Sequence, residues 1–436
     1  MFRHLFVSAA LFAVVAGVWP QVGEAMPAFA RQYEVSCAAC HAAFPKLNGG
    51  GESFAGNNMK LPGWDDKAAS FGDDRLALPK IPPLAVRAQG FFQVREGRVA
   101  EYGTDGEGNP TGNPELTGAD NDLQSPYLIK LLSSAPLSEN LTYYFYGIMA
   151  EKGENGSFLI EDAWFGYQDA FGTGIDATLG QFQVSDLMFA RETRLTFQDY
   201  MVYRMADITY DRGLILSRAL GPVDLAVGAV NGNGIKESAT LNAPGYARPD
   251  HTFDDDHEKS AFTRLGFEVG GLSVGLMGLS GGWQGVDTAD PDNPVSAGAG
   301  AESDIRIGGL DLSGRITPTL DWYAQYLQVT WTDFLAGEDV TWDGGFAGVD
   351  WIPNDRWAFS ALYNHTESGD LDGTDTVYDG IDMQTVSLTA SYYFMRNVKG
   401  LVEVNADLLE TEDPAQVPYG HLSGENYLLM GFDAAF

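Results

Sequence analysis

Cysteine is nearly missing from this chain: Cys37 and Cys40 are the only two among 436 residues, beside six histidines. Two thiols at that spacing can form a disulfide, act as a redox dithiol or supply half of a zinc site. A complete zinc site needs two more soft ligands nearby, and the sequence offers none. Long apolar runs are also scarce. Beyond the first 25 residues nothing approaches the ~18–20 continuous apolar residues of a spanning helix, so residence in a membrane would require a β-barrel. Basic residues are few: 26 Lys and Arg stand against 60 Asp and Glu, a net charge of −34. That balance excludes nucleic-acid binding, which needs a basic footprint, and favours cations or basic partners. A solvated acidic surface is its simplest meaning.

Residues 1–25 have the pattern of a secretory signal. Arg3 and His4 precede the apolar run "LFVSAALFAVVAGVW", and "GEA" at 23–25 provides small residues for cleavage before Met26. The signal carries one basic residue, Arg3, and one acidic, Glu24, so the acidic balance survives its removal.

Both cysteines fall in "YEVSCAACHAAFPKLN" (33–48), with His41 directly after the second. C-x-x-C-H is the attachment signature of c-type haem: the thiols bond the porphyrin and the following imidazole is an axial ligand of the iron. One covalent haem is therefore expected on Cys37, Cys40 and His41. Met59 is a candidate for the sixth ligand, a choice that would raise the reduction potential. It can equally be a packing residue, and a five-coordinate iron stays open. Residues 26–83 are rich in Gly, Ala and Asn, and "NGGGESFAGNN" shows no helical face. So small a segment needs a staple, which the haem and a surrounding wall would supply.

From Leu84 onward, segments alternate with period two. In "VKGLVEVNADL" (398–408), Val402, Val404, Ala406 and Leu408 share one face, and Glu403, Asn405 and Asp407 the other. In "TVSLTASYYF" (385–394), Val386 and Leu388 oppose Ser387 and Thr389. One apolar and one polar face suit lipid outside and water inside. About sixteen such segments centre near residues 91, 130, 146, 164, 180, 213, 227, 264, 276, 309, 326, 347, 361, 388, 404 and 431. Short connections such as "LGP", "GG", "TPT" and "MRN" alternate with long polar ones, the layout of an outer-membrane barrel with short periplasmic turns. The chain ends on the alternating "YLLMGFDAAF", closed by Phe436. The expected fold is all-β: a transmembrane antiparallel barrel of about 16 strands (84–436), preceded by a monohaem segment (26–83) that plugs its lumen.

The run "PAFARQYEVSCAACHAAFPKLN" resembles the leader of the fused monohaem cytochrome–porins of bacterial outer membranes, whose best-known members oxidise iron. Phe29-Ala30-Arg31-Gln32 before the haem motif, and Pro45 and Leu47-Asn48 after it, carry the likeness. Family members tend to continue with Phe-Gly-Arg-x-Phe-Lys. Here Gly51 and Phe54 are kept, while Gly50, Glu52 and Ala55 depart from the pattern. More loosely, "LGQFQVSDLMFARETRLTF" (179–197) resembles a strand and in-folded loop of phosphate-selective porins. That likeness implies a constriction loop over 184–205, with Arg191, Arg194 and Arg204 as candidates to meet the haem propionates or to serve as lumen-wall charges.

Two acidic loops are candidate external cation sites. "DHTFDDDHE" contains Asp250, His251, Asp254, Asp255, Asp256, His257 and Glu258, among which Asp254, Asp256 and His257 form a ligand set suited to Fe²⁺. "DLDGTD" (370–375) has part of a calcium loop. A hydrated acidic loop is the alternative for each.

Three functions fit these features. An oxidoreductase would pass single electrons from an extracellular donor, Fe²⁺ first among candidates, through the haem to a periplasmic cytochrome or other carrier. A porin would use the haem segment as a structural or gating plug. A haem enzyme such as a peroxidase would use an open sixth position.

Overall fold

The computed structural model describes residues 28–436, apart from 66–69, 74, 76, 81, 97, 105–109, 119–120, 152–153, 207, 209, 233–258, 285–301, 336–337, 368, 372–381, 396 and 410–425. The signal and the acidic loop 250–258 thus lie outside the described residues.

Sixteen antiparallel strands close into one barrel, each paired with its sequence neighbours and the last with the first. They are β1 (Leu84–Glu96), β2 (Asn121–Pro136), β3 (Leu141–Glu151), β4 (Glu154–Tyr167), β5 (Asp176–Gln183), β6 (Tyr210–Leu220), β7 (Val223–Val230) and β8 (Ser260–Val269). The second half comprises β9 (Leu272–Gln284), β10 (Glu302–Thr317), β11 (Leu320–Leu335), β12 (Glu338–Trp351), β13 (Trp357–Glu367), β14 (Met383–Met395), β15 (Val398–Asp407) and β16 (Asn426–Ala435). Every strand centre expected from the sequence falls inside one of them.

Alternation along these strands is inverted relative to a soluble protein. Val404 and Leu388 are 47% and 56% exposed, while their neighbours Glu403 and Ser387 are fully buried. Apolar side chains face outward and polar ones face the lumen, as lipid outside demands. No helix among the described residues is long and apolar enough to cross a membrane, so the crossing is made by strands.

The connections β2–β3, β4–β5, β6–β7, β8–β9, β10–β11, β12–β13 and β14–β15 share one end and are all short, whereas the long connections lie at the other. Gly270 and Gly271 join β8 to β9 with φ of +60° and +82°, the left-handed pair that a two-residue hairpin turn requires. Closure is completed by the terminus: the Phe436 N–H donates to Val86 O at 2.8 Å, and the Val86 N–H donates back to Phe436 O at 2.7 Å.

Three features depart from expectation. The long connection after β1 contains its own hairpin, Arg98–Thr104 paired with Pro110–Gly118. "NGGGESFAGNN", which shows no helical face in sequence, contains the helix α2 (Gly49–Gly56). Nor is the lumen wall uniformly polar. Leu327, Val329, Trp331, Trp342 and Phe346 are buried inside the barrel in one cluster with Tyr200, Val202 and Tyr203. The physical reason is a loop folded into the lumen, which needs an apolar wall to dock on.

Candidate functional site

That loop connects β5 to β6. Two short 3₁₀ turns, Val184–Leu187 and Arg191–Thr193, lead into the helix α3 (Met201–Met205). Tyr200 stacks on Phe346 with centroids 4.1 Å apart, and Tyr203 meets the same ring edge-on at 5.5 Å. Val202 is fully buried, which stabilises the docked loop by roughly 1.5–3 kcal/mol. The in-folded loop expected over 184–205 is therefore present.

Its arginines are engaged within the protein. Arg191 pairs with Asp199 and donates to Gln183 Oε1 at 3.3 Å. Arg194 donates to the carbonyls of Arg191 (2.7 Å) and Gln198 (3.2 Å) and lies 3.4 Å from Asp199. Both guanidiniums brace the loop, and Arg191 also ties it to the end of β5. Arg204, on α3, is exposed and adds its positive charge to those that hold down the Asp199 carboxyl. Glu192 extends the network to the wall, 3.0 Å from Lys130 and 3.6 Å from Arg87.

The haem-motif segment sits at the short-turn end. A helix α1 (Ala28–Tyr33) leads to a 3₁₀ turn at Cys37–Ala39 and a small hairpin that pairs His41 with Leu47. Asn48 joins the cysteine turn to α2. Its Oδ1 caps α2 by accepting from Gly50 N and Gly51 N, and its Nδ2 donates to Ala38 O at 2.9 Å. The glycines let α2 lie on the cysteine turn, because a Cβ at Gly50 or Gly51 would collide with the carbonyl of Ala39 or Cys40. Phe54 packs beneath, edge-on to Phe29 and Tyr33.

Contacts with the barrel run along its rim from β3 through β1 and β15 to β11. Arg31 donates to Leu84 O, Lys60 to Glu139 O, and the Thr142 hydroxyl to Asn58 O at 3.1 Å. Cys37 Sγ lies 3.8 Å from Asn397 Oδ1 in the β14–β15 turn. The hairpin reaches inward-facing groups: Lys399 Nζ donates to Phe44 O at 2.6 Å, and Lys46 pairs with Asp350 (2.6 Å) and Asp321 (3.1 Å). Ala43 packs with Leu195 of the lumen loop and Ala358 of β13.

The motif's chemistry fits a covalent haem. Cys37 and Cys40 are free thiols, half-buried, and burial pushes both up from the ordinary thiol range. His41 donates from Nδ1 to Pro45 O at 3.1 Å, leaving Nε2 as the ligating nitrogen, the arrangement by which a metal-bound imidazole is oriented. Burial lowers its pKa against the opposing pull of the Pro45 and Lys46 backbone, which favours the neutral ring that metal ligation uses.

Met59 lies in the turn after α2, its carbonyl accepting from the Tyr33 hydroxyl at 2.8 Å. That turn is tied to the β2–β3 rim by Asn58 and Thr142, whereas the His41 hairpin is tied to β11, β12 and β15. Asp254, Asp256 and His257 lie outside the described residues. Of "DLDGTD", Asp370 accepts the Thr341 N–H at 3.0 Å, a local backbone contact. Among the described residues no group of three or more His, Cys, Asp or Glu side chains gathers to hold a metal ion.

Sequence reasoning missed the wall charges beside the hairpin: Arg87, Lys399 and Asp433, on the neighbouring strands β1, β15 and β16. Each occupies a lumen-facing position near the short-turn end, which was the available signal.

No family model and no curated protein matches this sequence. Solved structures match it in fold. The outer-membrane channel DcaP of Acinetobacter baumannii is 13% identical with a TM-score of 0.53, over 86% of this chain and 100% of that one. OmpF of Salmonella typhi, in complex with daunomycin, is 13% identical with a TM-score of 0.51, over 81% of this chain and 97% of that one. With its apolar outer face and closed sixteen-stranded wall, this chain is a porin-like β-barrel integral to the outer membrane.

Proposed function

We propose that this barrel carries one covalent c-type haem on Cys37, Cys40 and His41 and serves one-electron transfer across the outer membrane. When bound, the haem supplies a one-electron couple suited to oxidising an extracellular donor, Fe²⁺ first among candidates, and reducing a periplasmic carrier such as a cytochrome. The observation that carries this function is the seating of the motif. Its thiols are unbridged, its imidazole is oriented through Pro45, and its hairpin is fastened to inward-facing wall residues.

The chain's own residues do the positioning. Asn48, Gly50 and Gly51 fix the cysteine turn against α2, and Lys46 and Lys399 hold the hairpin in the mouth. The large negative charge raises the local concentration of a cationic donor.

The fold on its own supports a diffusion channel more directly, since a barrel of similar architecture is an outer-membrane channel. In that case the haem segment is structural or gates the flow. One pair of measurements separates the two. Purified protein is expected to show a c-type visible spectrum that Fe²⁺ converts to the reduced form, with low conductance in planar bilayers. A spectrum indifferent to Fe²⁺, together with large conductance, would replace electron transfer by diffusion.

A further inference from the structure

The charged groups that touch Phe44, the ring packed on His41, come from the barrel wall. The Phe44 ring stands edge-on to the His41 imidazole with centroids 5.5 Å apart. The same ring meets the Arg87 guanidinium at 5.1 Å and Lys399 Nζ at 6.0 Å, and the Phe44 carbonyl accepts from Lys399. Asp433 lies behind the two cations, 2.9 Å from Arg87 and 3.7 Å from Lys399, and Glu192 approaches Arg87 at 3.6 Å. The cluster therefore turns its cations toward Phe44 and the His41 hairpin, with its carboxylates behind them. Lys399 and Asp433 are almost wholly buried, so water screens them little.

We propose that Lys399 and Asp433, with Arg87, are charge-setting residues that fix the reduction potential of the iron at His41. The proposal rests on the haem reading given above. Oxidised iron carries one more positive charge than reduced iron. A buried cation nearby disfavours the oxidised state and raises the potential, and a carboxylate does the reverse. The barrel, on this account, is part of the redox centre as well as its housing.

Spectroelectrochemical titration of the full, haem-loaded protein in detergent tests this. Lys399→Met is expected to shift the midpoint potential downward, Lys399→Arg to restore it, and Asp433→Asn to shift it upward. A merely structural role predicts a different pattern. Either substitution would loosen the hairpin and expose the iron to water, so both would move the potential the same way. Shifts of equal sign, or none, overturn the proposal. Asp433→Asn decides by its sign even if Lys399→Met fails to assemble. Wild-type protein lacking a c-type spectrum would instead remove the haem itself, an outcome distinct from haem present with an unmoved potential.

Discussion

Glu403 accepts the backbone N–H of Gln198 at 2.9 Å, joining barrel strand β15 to the tip of the lumen loop. The same carboxylate accepts from Phe197 N (2.5 Å), the Thr389 hydroxyl (2.6 Å) and the Tyr427 hydroxyl (2.7 Å), and it is fully buried. Each hydrogen bond to a charged acceptor contributes about 1.5–3 kcal/mol. Beside it, Asn364 accepts Met201 N and donates to Asp199 O. The loop is thus bolted to the wall rather than hung as a gate. Glu403→Ala is expected to free residues 195–199 for proteolysis and to raise bilayer conductance, with Glu403→Gln intermediate. Unchanged protection in Glu403→Ala would show that the apolar dock of Tyr200, Val202 and Tyr203 suffices alone.

Glu403 also marks how far the sequence could be read. Its lumen-facing place followed from alternation, because strand period and lipid exposure are local properties of the pattern. Its role as an acceptor for loop N–H groups did not, since those donors lie about 200 positions earlier and meet it only in the closed barrel. The pairing of Arg191 with Asp199 was hidden for the same kind of reason, since the turn that brings Asp199 round is announced by no periodicity. The helix α2 was hidden by its glycines, which lower intrinsic helix propensity. The Asn48 cap and the packing of Phe54 override that propensity. The C-x-x-C-H pattern could be picked out because it is defined by spacing within five residues.

His41 offers a test that separates cofactor from scaffold. His41→Ala removes the imidazole and its bond to Pro45 O, while Lys46, Lys399 and the barrel strands keep their contacts. The expected variant inserts normally and shows the heat-dependent gel mobility of a closed barrel, but its visible spectrum loses the wild-type axial signature and its electron transfer is abolished. Full electron-transfer activity in His41→Ala would rule out this histidine as the ligand.

The glycine run gives a paired control. A Cβ at Gly51 would strike the Cys40 carbonyl, whereas one at Gly49 meets nothing within 4 Å. Gly51→Ala is therefore expected to push α2 off the cysteine turn at a cost of roughly 1–3 kcal/mol. Gly49→Ala should be neutral or stabilise the helix by about 0.5–1 kcal/mol. Protease resistance of the 28–65 segment reads both, and equal behaviour of the two variants would contradict the packing of α2 on the turn.

Two carboxyls of the lumen loop predict how its anchoring depends on pH. Burial, reinforced by Glu192 and Glu161 and opposed by Arg191, pushes the Asp186 carboxyl up to about 7. Burial would also raise Glu192, but Lys130, Arg87 and Arg194 outweigh it and hold that carboxyl down to about 2. An unfolded Asp titrates near ~3.9 and an unfolded Glu near ~4.3. Between about pH 4 and pH 7 the folded loop consequently holds a proton on Asp186 that the unfolded chain has released, so this group's contribution weakens as pH rises through that window. Glu192 acts oppositely: its contribution is complete above about pH 4 and is lost as pH falls toward 2. The loop should be most firmly held near about pH 4–5, with protease protection falling between about pH 5 and pH 7. Asp186→Asn keeps an acceptor for the Arg191 N–H, 3.3 Å away, and removes the titration, so its protection should be flat over the same range. A wild-type profile already flat from about pH 5 to pH 7 would mean that Asp186 is ionised throughout and that the wall charges alone hold the loop.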